Sequence, residues 1–477
     1  MRLQITDNKI KTIFVTAAKL FADYELYAVG GFPRDILLQR ETCDIDFATS
    51  ATPDQIEEIL LTVCPYDSIY RVGKRFGTLG CMADRLVKGV CFPLEFTTFR
   101  TDAYDGESRK PQVQFVNTLK EDLLRRDFTV NALALNIKTL EVIDYFGGLN
   151  DLGNGIIQTP MAAQKTFEDD PLRMLRAIRF VAALGFNIEE QTLAAIIECA
   201  SEIKRVSVER VMVELNKILL SSQPSNALRL FVETGLAAYI LPELLPMVNL
   251  AQNSAYHMKN VFEHTLSVVD NTPPVLHLRL AALLHDIGKP ETYSCYNGEI
   301  HFYHHEFLGK KMAKNILGRL RYPALIKEQV EALIGNHMRL LQTQSTKAVR
   351  RLTNDLSDTK ITLDDLLTLG QADITSSKPG RIAEGQKLVN DVLRIYEELQ
   401  KEHEDIVVLP LNGNEIMELL DITPSKAIGY IKQGLEELIL AEILSPHDKK
   451  AATQFVFDLY TAYQLDISIE CFVKKLE

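Results

Sequence analysis

The chain is 477 residues long, too long for a single hydrophobic core, so about two to four domains are expected. Apolar residues make up 46% of it and charged residues 24%, the balance of an ordinary soluble globular protein, and no run of about 18 apolar residues offers a membrane span. The net charge of −12 argues against a chain coated for nucleic acid, while leaving room for a local basic stripe.

The opening stretch, MRLQITDNKIKTIF, scatters charges where an export signal needs an apolar segment, so export is not expected. LYAVGG, CDIDFAT and LEFTTFR read as short strands rich in β-branched and aromatic residues. TPDQIEEILLTV reads as a helix capped by Thr52, with Pro53 at its first position. Residues 101–114, TDAYDGESRKPQVQ, are polar and read as a mobile loop. From about Asp169 the pattern changes: DDPLRMLRAIRFVAALGF, VERVMVELNKILL and NALRLFVETGLAAYIL carry apolar residues at the amphipathic helix period. Pro242 and Pro246 mark a boundary near residue 247, a third helical region runs to about 385, and a last one follows. Cys43, Cys64, Cys81, Cys91, Cys199, Cys295 and Cys471 are dispersed and form no C-x-x-C, which favours reduced thiols in a cytoplasm over disulfides or structural zinc.

Asp44 and Asp46 lie two apart in a predicted strand, so their side chains leave one face. Side-by-side carboxylates repel unless a cation lies between them, and oxygen ligands suit Mg²⁺. Gly30 and Gly31 follow a strand and open a predicted helix, PRDILLQ, whose backbone N–H groups can meet a phosphate, with Arg34 and Asp35 in the first turn. Arg34 there is placed to grip phosphate oxygens bidentately. A lone D-x-D is most often a solvated acidic pair; joined to G-G-x-x-R-D it describes a seat for Mg²⁺ and a triphosphate.

VGGFPRD…DIDFAT, EDLLRRDFTVNALAL, DYFGGLNDL and DDPLRMLRAIRFVAALGF, in that order, resemble the motifs of bacterial class II tRNA nucleotidyltransferases. These CCA-adding enzymes share their fold with bacterial poly(A) polymerases. The resemblance is close over roughly residues 25–245 and looser beyond. It implies an α/β nucleotidyltransferase head, a small mixed sheet with helices, followed by an all-α body that includes an HD domain. The expected domains are the catalytic head at 1–145, a helical neck for base recognition and RNA binding at 146–247, the HD domain at 248–385 and a helical tail at 386–477.

The resemblance also implies that Asp170 and Arg173 read the incoming base. Chemistry agrees: Asp accepts hydrogen bonds and Arg only donates them, and three apart on a helix they are expected to be surface neighbours. The pairing edges of cytosine and adenine both offer an amino donor beside a ring-nitrogen acceptor, the reverse of uracil and guanine. One Asp–Arg pair therefore suits CTP and ATP and leaves buried polar groups unpaired against the other two. By the same analogy Arg176 and Arg179 hold the nucleotide or the RNA end, although the helical drift keeps the series from pointing at one atom. Arg126, Asp127 and Asn131 fall in the segment that the family uses for ribose and triphosphate, and Asp127 and Asn131 serve equally well as fasteners of that loop. Glu95 reads either as a third carboxylate near the metals or as an edge-strand charge. The reaction implied is attack of the tRNA 3′-hydroxyl on the α-phosphate of CTP or ATP, with loss of pyrophosphate.

Further on, His264, His285-Asp286, His305, His337 and Asp373 follow the order H…HD…H…H…D and resemble the HD phosphohydrolase domain. The resemblance implies a divalent metal such as Mg, Mn or Ni on His264, His285, Asp286 and Asp373, with phosphodiesterase or phosphatase activity at a tRNA end as one outcome and a remnant domain as the other. LGKKMAKNILGRLR and KAVRRL are basic stretches that either follow an RNA backbone or are ordinary solvated helix faces. The best reading is CCA addition to tRNA. The alternatives are poly(A) synthesis, CC-only or A-only addition, a metal phosphohydrolase with a degenerate head, and a non-catalytic RNA-binding scaffold. The segment 101–114 is associated in the family with the A step, and GKRFGTLG leans toward the CCA-adding pattern.

Overall fold

The computed structural model describes residues 1–42, 44–103, 112–250, 260–297, 299–343, 345–357, 359–375, 379–404, 409–440, 443–445, 447–465 and 467–473. Of the segment 101–114 expected to be a mobile loop, the ends are instead paired antiparallel strands, Arg100–Ala103 with Gln112–Phe115, and 104–111 lies outside the described residues. Two compact units emerge: residues 1–342 with 355–389, and residues 343–354 with 390–477.

The first unit begins with a six-stranded mixed sheet. Its strands are β1 (Leu26–Val29), β2 (Ile45–Thr49), β3 (Thr78–Met82), β4 (Pro93–Thr98), β5 (Leu133–Asn136) and β6 (Val142–Asp144), in the spatial order β3-β4-β2-β1-β5-β6. Only β2 and β4 run parallel, and their register sets Asp46 opposite Glu95. Alternation along β2 buries Ile45 and Phe47 on the side away from Asp46. Phe47 stacks on Phe96, and Phe96 on Phe21, with centroids 4.9 and 5.0 Å apart. Each such ring taken from water contributes about 1.5–3 kcal/mol, so the functional face of the sheet rests on a rigid floor. The helix Pro53–Leu61 is closed by a capping box of Thr52 and Gln55, as Thr52 and Pro53 predict.

Beyond the sheet the unit is mostly helical. The amphipathic stretches become helices Leu172–Leu184, Val208–Leu219 and Pro224–Glu233, and the HD region packs Val261–Asn271, Leu276–Leu284, His305–Arg319, Ala324–Asn336 and Leu363–Asp373. Two short strand pairs depart from the expected all-α body: Ile156–Ile157 with Asn187–Ile188, and the hairpin Ser294–Tyr296 with Glu299–His301. The second unit is a small helical cluster. Asn412 and Glu415 cap its helix Gly413–Leu420, and Ile416, Ile431, Leu435, Leu438, Val456 and Leu459 form its core. No described helix is long and apolar enough to cross a membrane.

Candidate functional site

Asp46 projects from β2 beside Glu95 of β4, and exposed Asp44 immediately precedes β2 rather than lying within it. Burial raises the Asp46 carboxyl to about 6, with repulsion from Glu95 and Asp44 adding to the effect and Arg126 opposing it. Glu95, left open by its sequence, sits on an interior strand, because β4 lies between β3 and β2. Gly30 has φ +73°, and a Cβ there would stand 3.3 Å from both the Asp46 Oδ2 and the Arg126 Nη1. Glycine thus keeps open a gap walled by one anion and one cation, at the start of helix Gly31–Leu37. Asp122, which the sequence reading did not single out, is fully buried in helix Leu119–Leu124 and holds Arg125 at 2.9 Å and Arg126 at 3.3 Å.

A polar chain runs from the glycine turn to the neck. The Arg34 guanidinium donates to both Asp35 oxygens at 2.8 Å and to Asn131 Oδ1 at 2.6 Å. Asn131 donates to Asp127 Oδ1 at 2.9 Å, and Arg176 donates to Asp127 Oδ2 at 2.8 Å. Burial alone pushes the Asp127 carboxyl up, but the Arg176 charge and the Asn131 bond outweigh it and hold it down at about 2. Asp127 and Asn131 therefore fasten the loop to the neck helix, one of the two roles left open for them. Arg34, which the sequence placed for phosphate, is held by Asp35 and Asn131 with its guanidinium 5.2 Å from the Phe180 ring centroid. Arg176 and Arg179 approach the same ring at 5.9 and 4.2 Å, so Phe180 gathers three cations, a convergence that residue spacing alone conceals. Arg179 also pairs with buried Glu214 at 2.9 Å.

Asp170 and Arg173 differ from expectation. They are not neighbours on one helix: helix Ala163–Asp169 ends at Asp170, Pro171 follows, and the next helix begins at Leu172. Pro171 forces the break, because its ring cannot continue the preceding turn. Asp170 accepts from Arg210 at 2.7 Å and from the Leu172 N–H at 3.2 Å. Arg173 is buried and donates to the Arg125 carbonyl oxygen at 2.6 Å, which ties it to the same loop that carries Arg126.

The HD residues converge. His264, His285, Asp286, His305 and His337 are buried, and Asp373, about one third exposed, closes the cluster. His264 Nε2 lies 2.9 Å from Asp373, and His285 Nε2 lies 3.2 Å from Asp286. The Nδ1 atoms of His285, His305 and His337 face the carbonyl oxygens of Ala282, Phe302 and Ile334 at 2.9, 2.8 and 2.7 Å. A carbonyl only accepts, so each Nδ1 carries its proton and Nε2 is the ring nitrogen turned toward the cluster. Burial keeps His337 neutral, down at about 4, and lowers His305 as well. Their bare Nε2 atoms nevertheless face each other at 3.3 Å, an arrangement that a shared cation stabilises. The potential ligand atoms form two sets, His264–His285–Asp286 and Asp286–His305–His337, joined by Asp286. At His285 burial opposes the charged ring, but Asp286 and Asp373 outweigh it and raise the ring to about 10. The donor set, imidazole with carboxylate, fits a divalent transition metal.

Three domain families match in chain order. Residues 26–158 match the Poly A polymerase head domain, 185–247 the probable RNA and SrmB-binding site of polymerase A, and 254–377 the HD domain. A CCA-adding enzyme of Geobacillus sp. (strain WCH70) is 43% identical over 233 residues, 49% of this chain and 54% of that protein. A CCA-adding enzyme of Lactococcus lactis subsp. cremoris (strain MG1363) is 40% identical over 242 residues, 50% of this chain and 58% of that protein. The chain thus matches just over half the length of these curated relatives. The crystal structure of the Bacillus stearothermophilus CCA-adding enzyme in complex with CTP superposes with a TM-score of 0.61 at 25% identity, covering 95% of this chain and 99% of that one. In chain order, then, this chain is similar to a Poly A polymerase head domain, to the probable RNA and SrmB-binding site of polymerase A and to an HD domain.

Proposed function

We propose that the protein adds CCA to the 3′ end of tRNA, using CTP and ATP without a nucleic-acid template. The observation that carries this reading is Asp46, flanked by Glu95 and Asp44 and facing Arg126 across the Gly30 turn. The similarity to CCA-adding enzymes, one of them crystallised with CTP, favours CTP, ATP and tRNA as the substrates. The carboxylates of Asp44 and Asp46 would hold Mg²⁺, which when bound acidifies the attacking hydroxyl and neutralises the leaving charge. In the reaction the 3′-hydroxyl gives up its proton to solvent, the bond from the 3′-oxygen to the α-phosphorus forms, the bond to the bridging oxygen breaks, and pyrophosphate departs. Gly30 and Gly31 leave space for the triphosphate, and Arg126 offers it positive charge. Asp170 supplies an acceptor and Arg173 a donor for cytosine or adenine, once the base takes over the contacts now made by Arg210 and the Arg125 carbonyl. Arg34, Asp35, Asp127, Asn131, Arg176 and Arg179 frame the nucleotide and fix the neck against the head.

The working division is the head at 1–145, the neck at 146–247, the HD domain at 248–385 and the tail at 386–477. The HD domain is a second centre. His264, His285, Asp286 and Asp373, with His305 and His337, would hold divalent metal and cleave a phosphate ester: water supplies the new oxygen, a phosphorus–oxygen bond breaks, and an alcohol leaves. The intact acidic head argues against a hydrolase with a dead polymerase domain. Cys64, Cys81, Cys91, Cys199 and Cys295 are unbonded, consistent with a reducing compartment such as cytoplasm.

Labelled CTP and ATP, given separately and together to the protein with tRNA lacking its last three nucleotides, test the reading. Two C and one A are expected. Long A tails on unrelated RNA would make it a poly(A) polymerase, and release of phosphate with no incorporation would leave only the HD activity.

A further inference from the structure

The surface beside the HD cluster is unusually aromatic. Within fifteen residues, Tyr293, Tyr296, Tyr303 and Phe307 are 47, 73, 66 and 64% exposed, on and flanking the hairpin Ser294–Tyr296/Glu299–His301. Grouped exposed rings of this kind mark interaction sites rather than ordinary surface. They are also pre-arranged: His301 stacks on Tyr303 with centroids 5.1 Å apart and planes within 12°, and His304 lies 5.9 Å from Phe307.

The hairpin is coupled directly to the cluster. The Phe302 carbonyl accepts the Nδ1 proton of His305 at 2.8 Å, and Tyr303 is two residues from that same histidine. The Lys289 ammonium donates to Asp286 at 2.7 Å and stands 5.5 Å from the Phe302 ring centroid. On the helix His305–Arg319, Phe307 is followed by exposed Lys310, Lys311 and Lys314. Those positions, at i+3, i+4 and i+7, share one helix face, so a basic stripe leads away from the aromatic group.

We infer that this hairpin and stripe form a platform for single-stranded RNA, with bases stacked on Tyr296, Tyr303 and Phe307, phosphates on the lysines, and the terminal phosphate ester directed to the metal cluster. Flat rings beside an array of lysines complement a chain of bases and phosphates, whereas a protein partner's apolar patch gains nothing from three adjacent ammonium groups. The inference rests on the metal-hydrolase reading of the HD domain and adds the surface that would hold the RNA strand beside it.

The chain contains no tryptophan, so Tyr303→Trp places a single indole reporter on the platform. The full-length Mn²⁺-loaded variant is titrated with hexaadenylate RNA, its abasic counterpart and inorganic phosphate. Saturable quenching by the hexamer alone is expected, and adding Tyr296→Ala should weaken it by about fivefold or more, the loss of one stacked base. No quenching, equal quenching by the abasic strand, or indifference to Tyr296→Ala would overturn the platform. So would loss of self-association on Tyr296→Ala with RNA binding unchanged, which would assign the rings to a second copy of the chain. Phosphate release from 3′-phosphorylated hexamer separates the two readings. Quenching without release retains the platform and removes the hydrolase; release unaffected by Tyr296→Ala with Tyr303→Ala retains the hydrolase and removes the platform.

Discussion

Asp46 and Glu95 stand opposite each other on adjacent parallel strands, so two carboxylates from distant parts of the chain share one face of the sheet. Asp46 bears the consequence, with its carboxyl raised to about 6. A raised acid makes the native state bind a proton that the unfolded chain has already lost. In the metal-free protein stability therefore falls as pH rises from about 4 to about 6, by on the order of 3 kcal/mol at most, and the penalty persists above that window. Asp46→Asn should melt higher than the unsubstituted protein at about pH 7.5 without metal, converge with it near pH 4, and lose the stabilisation conferred by Mg²⁺. Differential scanning calorimetry with and without Mg²⁺ reads all three.

Asp127 carries the opposite sign. Its carboxyl is held at about 2, so its contribution is present above about pH 4 and is lost as pH falls through the folded value. Asp127→Ala leaves Arg176 and Asn131 without their acceptor and should cost about 2–4 kcal/mol in urea denaturation near neutrality. The difference from the unsubstituted protein should shrink toward pH 2.

Base choice should reside in Asp170. Its present partner Arg210 is half-exposed, with 52% of its side chain accessible, so the pair is weak and a base can displace it. Asp170→Ala should lower the preference for CTP over UTP by about tenfold or more, with kcat/KM for each nucleotide as the readout. Arg210→Ala should leave that preference in place.

Gly288 lets backbone pack against backbone beside the HD cluster. A methyl group there would overlap the His305 carbonyl oxygen and come within 2.8 Å of the Gly309 nitrogen, both backbone atoms that cannot rotate aside. Gly288→Ala should therefore displace His305 and lower the bound metal measured by elemental analysis, while nucleotide addition by the head continues.

What could be read from the sequence depended on whether a role follows from local spacing. The glycine turn, the D-x-D and the Thr52 cap are short-range patterns, and the structure sets Gly30 beside Asp46 and closes one helix end with Thr52. Glu95 could not be separated from an edge charge, because only the parallel pairing of β2 with β4 brings it beside Asp46. Asp122 was missed because a buried acid that holds two arginines looks, in sequence, like any helix-surface carboxylate. Asp170 and Arg173 were placed on one helix because three-residue spacing suggests it; Pro171 between them was the overlooked signal. The histidines of the HD cluster were legible by order, whereas the carbonyls that set their tautomers are backbone atoms without a sequence signature.

The central claim is that nucleotide addition occurs at the acidic strand in the head, independently of the HD cluster. The direct measurement is the single-turnover rate of CTP addition to tRNA lacking its end, for Asp46→Asn and His285→Ala alongside the unsubstituted protein. A fall of about a thousandfold or more for Asp46→Asn, with His285→Ala unchanged, is predicted. Comparable rates for Asp46→Asn and the unsubstituted protein, or an equal fall in both variants, would contradict it.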